Sequence, residues 1–287
     1  MPRSLQSSIP QPSYTKAVIQ ASIKSSGGNQ RVWCVVESDD DVEVFERFFL
    51  VPAVSVLPST NEEGRRSCRN VETIVSDLYA EEPNPQVFGI RDRDYTSFSS
   101  TYTCPANVFL TDGRDVEMMM LKASSVIKDL RSRDPNFPDN VSLSSDVMRF
   151  LGYLRIYNDV KQLSCTFKDN LTKVSLVWDN SNHYIYPDYE ERLFSKFLNI
   201  SATAVTRAEF DQFIAENGLE YKTNNDICRG HDVCRLLCSM MIKKEFSDPK
   251  VIFQWMKDSY SFEDFQQTSL YHDLADWSDN REITIFP

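Results

Sequence analysis

Three short apolar runs, each ending in acidic residues, constrain this chain more than any other feature. RVWCVV (31–36) leads into Glu37-Ser38-Asp39-Asp40-Asp41, and VFGI (87–90) leads into Arg91-Asp92-Arg93-Asp94. NVFL (107–110) leads into Thr111-Asp112-Gly113-Arg114-Asp115-Val116-Glu117. Runs of Val, Ile and Phe separated by helical patterns read as strands of a parallel sheet, so the fold class is α/β, with helices flanking that sheet. Such sheets carry their functional residues just beyond the carboxyl ends of the strands. Acids gathered from three strand ends repel one another and raise each other's pKa unless a cation lies among them. Oxygen ligands alone suit Mg²⁺ or Mn²⁺. No thiol or imidazole falls inside the three acidic segments, so zinc is a poor fit.

Around these runs the pattern is readable segment by segment. Residues 1–30, rich in Ser, Pro, Gln and Gly, form an N-terminal arm or a short helix. In DDDVEVFERFFL, Val42, Phe45, Phe48 and Phe49 recur at helical spacing. Asp39 and Asp40 then read as helix-capping acids, whereas Asp41 stands between a cap and a ligand. VSVLPS (54–59) reads as another strand, and the segment after it as a loop and a helix. Arg65, Arg66 and Arg69 in that segment are the compact basic cluster near the acids, set to meet phosphates or to face solvent.

Beyond Asp115 the chain turns mainly helical. VEMMMLKASSVIKDLRS, SSDVMRFLGYLRIYNDVKQLS, YEERLFSKFLNI and TRAEFDQFIAENG each carry one helix, and KVSLVW (173–178) with HYIY (183–186) reads as an inserted β-hairpin. His231, in RGHDVCRLLCSMMIKKEF, sits at the start of a further helix as a cap, a contact to the other domain or a catalytic group. The tail from Asp258 to Glu282 mixes acids with Phe, Tyr and Trp, a face suited to docking on a partner or second subunit. The expected division is an arm over 1–30, a catalytic α/β domain over 31–125, and a mainly helical domain over 126–287 for dimerisation or partner docking.

Net charge narrows the function classes. At −11 the chain is a poor candidate for a broad, sequence-blind grip on nucleic acid, although a local patch, a metal ion or a partner can supply positive charge. Seven cysteines, an odd number without a CxxC pair, read as reduced core residues, Cys228, Cys234 and Cys238 among them. Without a run of membrane-spanning length, or an apolar signal core near Met1, the expectation is a cytoplasmic protein with no membrane contact.

The order strand, Glu, helix, strand, helix, strand, Asp-x-Asp resembles the TOPRIM domain of topoisomerases, primases and OLD-type nucleases, over roughly residues 31–120. That resemblance implies a general acid/base or metal-ligand role for Glu37 and Mg²⁺ binding by Asp92 and Asp94. Ser38 departs from the glycine that usually follows the glutamate. A narrower bacterial group of TOPRIM-like proteins is more similar still, since VVESDDD, FGIRDRDY, VFLTDGRDVE and RGHD all fit its motifs. Some members of that group are anti-phage effectors paired with an ABC-type ATPase, as in the PARIS system. The likeness implies a toxic nuclease restrained by that partner, with tRNA the favoured substrate and DNA the alternative, and a homodimeric chain.

On this reading Glu37, Asp92 and Asp94 hold one or two divalent ions, Glu117 is a further ligand, and Asp41 and Asp115 orient the shell. Three rivals stand beside it. D-R-D-Y-T also fits haloacid-dehalogenase-type phosphatases, with Asp92 as nucleophile, although that motif usually opens its domain. An isolated Asp-x-Asp can hold a nucleotide-sugar through Mn²⁺. A TOPRIM-like scaffold with a degenerate site would serve as a docking or regulatory subunit.

Overall fold

A computed structural model describes residues 14–25, 31–82, 84–98, 102–241 and 248–287. Of the expected N-terminal arm, Tyr14–Lys24 forms helix α1, while 1–13 and 26–30 lie outside the described residues. The end of the His231 segment, from 242, lies outside them as well.

In chain order there follow β1 (Val32–Val36), α2 (Asp39–Phe45), β2 (Val54–Pro58), α3 (Cys68–Glu81), β3 (Val87–Arg91) and β4 (Val108–Leu110). Next come α4 (Val116–Leu121), α5 (Ser124–Arg133), α6 (Phe137–Val160), β5 (Trp178–Asp179), β6 (Tyr184–Ile185), α7 (Tyr189–Ile200) and α8 (Arg207–Glu216). The last are α9 (Asn224–Ile227), α10 (Gly230–Met240), α11 (Pro249–Ser259), α12 (Phe262–Phe265) and α13 (Ser269–Asp279).

The chain divides into two compact units that are not consecutive in sequence. One gathers the described residues of Met1–Asp92, Thr103–Thr111 and Phe265–Pro287, the other those of Arg93–Tyr102 and Asp112–Asp264. This differs from a cut near residue 125, because the C-terminal segment belongs with the sheet.

In the first unit the described strands form a four-stranded sheet in the order β2-β1-β3-β4, all pairs parallel. Every residue of β1 and β3 is buried, which is why both read as unbroken apolar runs. One face of the sheet presents Trp33, Val35 and Val87 to Ile19 of α1 and to Val71, Ile74, Val75 and Leu78 of α3. At Gly89 on this face a Cβ would stand 2.6 Å from Val71 Cγ1, so glycine sets how closely α3 packs.

The returning C-terminal segment supplies aromatic cover. Trp277 of α13 packs edge-on to Phe88 at 5.0 Å, its indole N–H donates to the Asn107 side chain, and Phe286 stacks on Phe49 at 5.5 Å. The Leu50 N–H donates to the Ile285 carbonyl. Of the tail's aromatics, Trp277, and Phe265 and Tyr271 which pack with each other and with Phe286, belong to this core.

The second unit is mainly helical. Two expectations need correction. The segment expected as one helix from Val116 onward breaks at Lys122 and Ala123 into α4 and α5, because Asp264 caps a fresh start: its carboxylate accepts the Ser124 and Ser125 N–H groups and both hydroxyls. The expected strand 173–178 is a 3₁₀ turn over Val174–Leu176, and the hairpin shrinks to the two-residue strands β5 and β6.

Burial alone would raise the Asp264 pKa, but these amide and hydroxyl donors outweigh it and hold the pKa at about 2. A depressed carboxylate stabilises above its unfolded pKa and loses that contribution as pH falls through the folded value. Asp264→Asn is therefore expected to flatten the acid limb of unfolding between about pH 4 and pH 2. An acid-unfolding profile that superimposes on wild type would refute this. No described helix is long and apolar enough to cross a membrane.

Candidate functional site

The sheet itself selects a location. From β1 the chain crosses to β2 on one side, then returns to β3 and β4 on the other, so strand direction of travel reverses between β1 and β3. In open parallel sheets that reversal leaves a crevice at the carboxyl ends of the two strands, where ligands bind. Glu37 follows β1 and Asp92 follows β3. The Glu37 carboxylate reaches across and accepts the Asp92 backbone N–H at 2.9 Å.

Local sequence explains how Glu37 is held. Ser38 and Asp41 form a capping box at the start of α2: the Asp41 carboxylate accepts the Ser38 N–H at 2.9 Å, and the Ser38 hydroxyl accepts the Asp41 N–H at 3.3 Å. Asp41 is the third helical residue, the position this motif requires, and Asp39 and Asp40 lie with it in the first turn, as expected of acids at the positive end of a helix. Asp39 also pairs with Arg66. Ser38 lies at φ −140°, ψ 174°, an extended conformation open to any residue, so the turn after Glu37 does not need glycine.

Ser59 bonds through its hydroxyl to the carbonyls of both Glu37 and Ser67, tying the end of β2 and the start of α3 to this corner. Cys68, the first residue of α3, is brought there too: its Sγ and a Glu37 carboxylate oxygen lie within 4.8 Å of each other. A thiol therefore does adjoin the acids, in space though not in sequence. Ser67 as a helix cap was a readable signal for the start of α3, but nothing in the sequence tied Cys68 to Glu37.

Of the three arginines set near phosphates, Arg66 also donates to Thr60 and Arg65 pairs with Glu63 at 3.2 Å. Arg69 is exposed on α3. Exposed pairs of this kind contribute about 0–1 kcal/mol, so an incoming anion can exchange with them.

The remaining acids sit in the second unit. Asp94 adopts positive φ (48°) and its N–H donates to the Arg114 carbonyl. Arg114 is buried, stacks 4.0 Å from the Tyr95 ring centroid, and approaches Asp94 at 3.5 Å and Asp115 at 3.4 Å. Burial works against its charge, yet Tyr95, Asp115 and Asp94 outweigh burial and raise its pKa.

Asp115, 3% exposed, caps α4 by accepting the Met118 N–H at 3.0 Å and also accepts the Gly230 N–H at 2.9 Å. Its oxygens are thus engaged in joining α4 to the start of α10. Glu117, on the first turn of α4 and 6% exposed, receives His231 Nε2 at 3.1 Å. Because α4 begins at Val116, Asp115 and Glu117 do not share a strand face. The His231 pKa is lowered, first by desolvation and next by the Arg229 charge, so near neutral pH the imidazole is neutral and donates to Glu117 as an N–H.

RGHD therefore has a packing logic. A Cβ on Gly230 would stand 2.7 Å from Asp115 Oδ1 and nearer still to Glu117 Cβ, so glycine alone lets α10 seat on α4. Asp232, 4% exposed, pairs with Arg155 of α6 at 2.8 Å. Gly230→Ala is expected to destabilise by about 2–3 kcal/mol in denaturant unfolding. A loss under about 1 kcal/mol would show that α10 tolerates the added methyl.

No protein-family model matches the chain, and no curated protein matches it.

Proposed function

We propose that the chain is a Mg²⁺- or Mn²⁺-dependent endonuclease of the TOPRIM type. The observation that supports it best is the placement of Glu37 and Asp92 at the two strand ends flanking the reversal of the sheet, joined by the Asp92 N–H to Glu37 bond. Hard carboxylate donors fit a hard divalent ion, and the nearby Cys68 thiol extends the set toward softer ones. Such an ion, when bound, polarises a phosphoryl oxygen and makes bound water a nucleophile near neutral pH. Asp94 joins Glu37 and Asp92 in this proposal on the sequence motif, and Glu117 is a further ligand on the same ground.

The chain's own groups have distinct tasks. Glu37 holds negative charge where the phosphate must react, and is placed to take the proton of attacking water. Asp41, through the capping box, fixes the turn that presents Glu37. Asp115 fixes the start of α4, from which Glu117 projects beside His231.

In its biological setting we assign the chain as a homodimeric toxic effector of anti-phage defence, held by an ABC-type ATPase, with tRNA favoured over DNA as substrate. The sequence motifs VVESDDD, FGIRDRDY, VFLTDGRDVE and RGHD support that assignment. The test is incubation of the purified chain with total tRNA and with supercoiled plasmid, with Mg²⁺, Mn²⁺ or a chelator. Metal-dependent cleavage that disappears in Glu37→Ala identifies both activity and substrate. If neither the chain alone nor its co-expression with the ATPase gives Glu37-dependent cleavage or toxicity, the docking-subunit reading replaces it. A phosphoryl group trapped on Asp92 would instead make it a phosphatase.

A further inference from the structure

A pocket of about 240 Å³ in the second unit is lined by Arg155 from α6, Lys168 from the turn after it, and Arg229, His231, Asp232 and Arg235 at the start of α10. The chain as a whole is acidic, with 42 Asp and Glu against 31 Lys and Arg, and several arginines elsewhere in this unit are matched by carboxylates. Arg207 meets Glu190 and Asp211, and Arg192 meets Asp188. Around the pocket the balance is reversed. Four cationic side chains meet one carboxylate, Asp232, which is already committed to Arg155 at 2.8 Å. Lys168, Arg229 and Arg235 have no ion-pair partner among the described residues.

One detail tells against a merely solvated cluster. Arg155 is held, its guanidinium 4.6 Å from the Phe167 ring centroid and its side chain 12% exposed, so one cation of the pocket is fixed in place. The positive end of α10 is not itself the attraction, since its first N–H is taken by Asp115. Like charges gathered around one pocket repel, and a bound anion offsets that cost.

We propose that this pocket binds a phosphate of the nucleic-acid strand, through Arg155, Lys168, Arg229 and Arg235. It rests on the nuclease reading for the identity of the strand, and gives an otherwise acidic protein a confined place to hold it. Guanidinium groups suit the task because their planar donors match phosphate oxygens in pairs.

The experiment uses the full chain in chelator, so that nothing is cut. Binding of a short fluorescent single-stranded oligoribonucleotide is compared with that of the same sequence bearing a neutral methylphosphonate backbone, for wild type, Arg229→Ala, Arg235→Ala and Lys250→Ala. Lys250 is an exposed lysine of α11 that serves as the charge-matched control. The charged strand is expected to bind, the neutral one to bind at least tenfold more weakly, and the Arg229 and Arg235 variants to lose about tenfold while Lys250→Ala stays within about twofold. The slope of affinity against salt should also fall by about 1 in each arginine variant.

Equal binding of the two backbones, or arginine variants that match wild type, would overturn the proposal. Because no cleavage is measured, the two readings fail separately. Arginine-dependent binding without any Glu37-dependent cleavage removes the nuclease and keeps the pocket. Cleavage with unaltered binding in the arginine variants does the reverse.

Discussion

Glu37→Gln is expected to lower metal-dependent cleavage by about a thousandfold, equivalent to roughly 4 kcal/mol of barrier, while leaving the thermal midpoint within about a degree of wild type. The substitution separates charge from shape. A glutamine keeps an oxygen able to accept the Asp92 N–H at 2.9 Å, so the contact between the ends of β1 and β3 persists. What disappears is the negative charge that would hold a divalent cation and accept a proton from water. The expected signature is a loss of rate that excess Mg²⁺ or Mn²⁺ only partly restores. Wild-type cleavage by Glu37→Gln would remove Glu37 from the chemistry, and a large fall in thermal midpoint would assign it to the fold instead.

Asp115→Ala is expected to cost about 3–5 kcal/mol, measured as denaturant unfolding of the second unit. Three losses coincide. The first turn of α4 loses its cap, worth about 1 kcal/mol by itself. The Gly230 N–H loses a buried acceptor, and the buried Arg114 loses one of its two carboxylate partners. Asp115→Asn keeps the cap and one acceptor but not the charge, and should recover about half of the loss. If Asp115→Ala costs less than about 1 kcal/mol, the carboxylate is not the brace between α4 and α10 that its contacts describe.

The sheet was legible because its strands are buried on both faces. β1 and β3 contain no polar positions before their ends, so apolar runs marked them to within a residue, and acids marked where they stop. Helices with a single periodic face, such as α7, were equally plain. Several features were hidden because they depend on contacts between distant segments. The break between α4 and α5 is made by Asp264, far along the chain, and apolar periodicity runs straight through it. Cys68 joins Glu37 through Ser59, a third segment. At the level of the site, Glu37 and Asp92 stand at adjacent strand ends, as the motifs require, but the division of labour among the other acids was not readable. Asp41 and Asp115 look like Glu117 in sequence and differ in what their oxygens already accept.

The sheet-bearing unit is assembled from three separated stretches, the last of them Phe265–Pro287. A ribosome making this chain therefore exposes Glu37 and Asp92 before the second unit, while Trp277, Ile285 and Phe286, which cover the sheet and tie down Leu50, emerge only after it. Synthesis order thus imposes a delay on a protein proposed to be toxic. The strand ends that carry its acids gain their full support only after the whole second unit has been made, and a chain terminated inside that unit lacks it altogether.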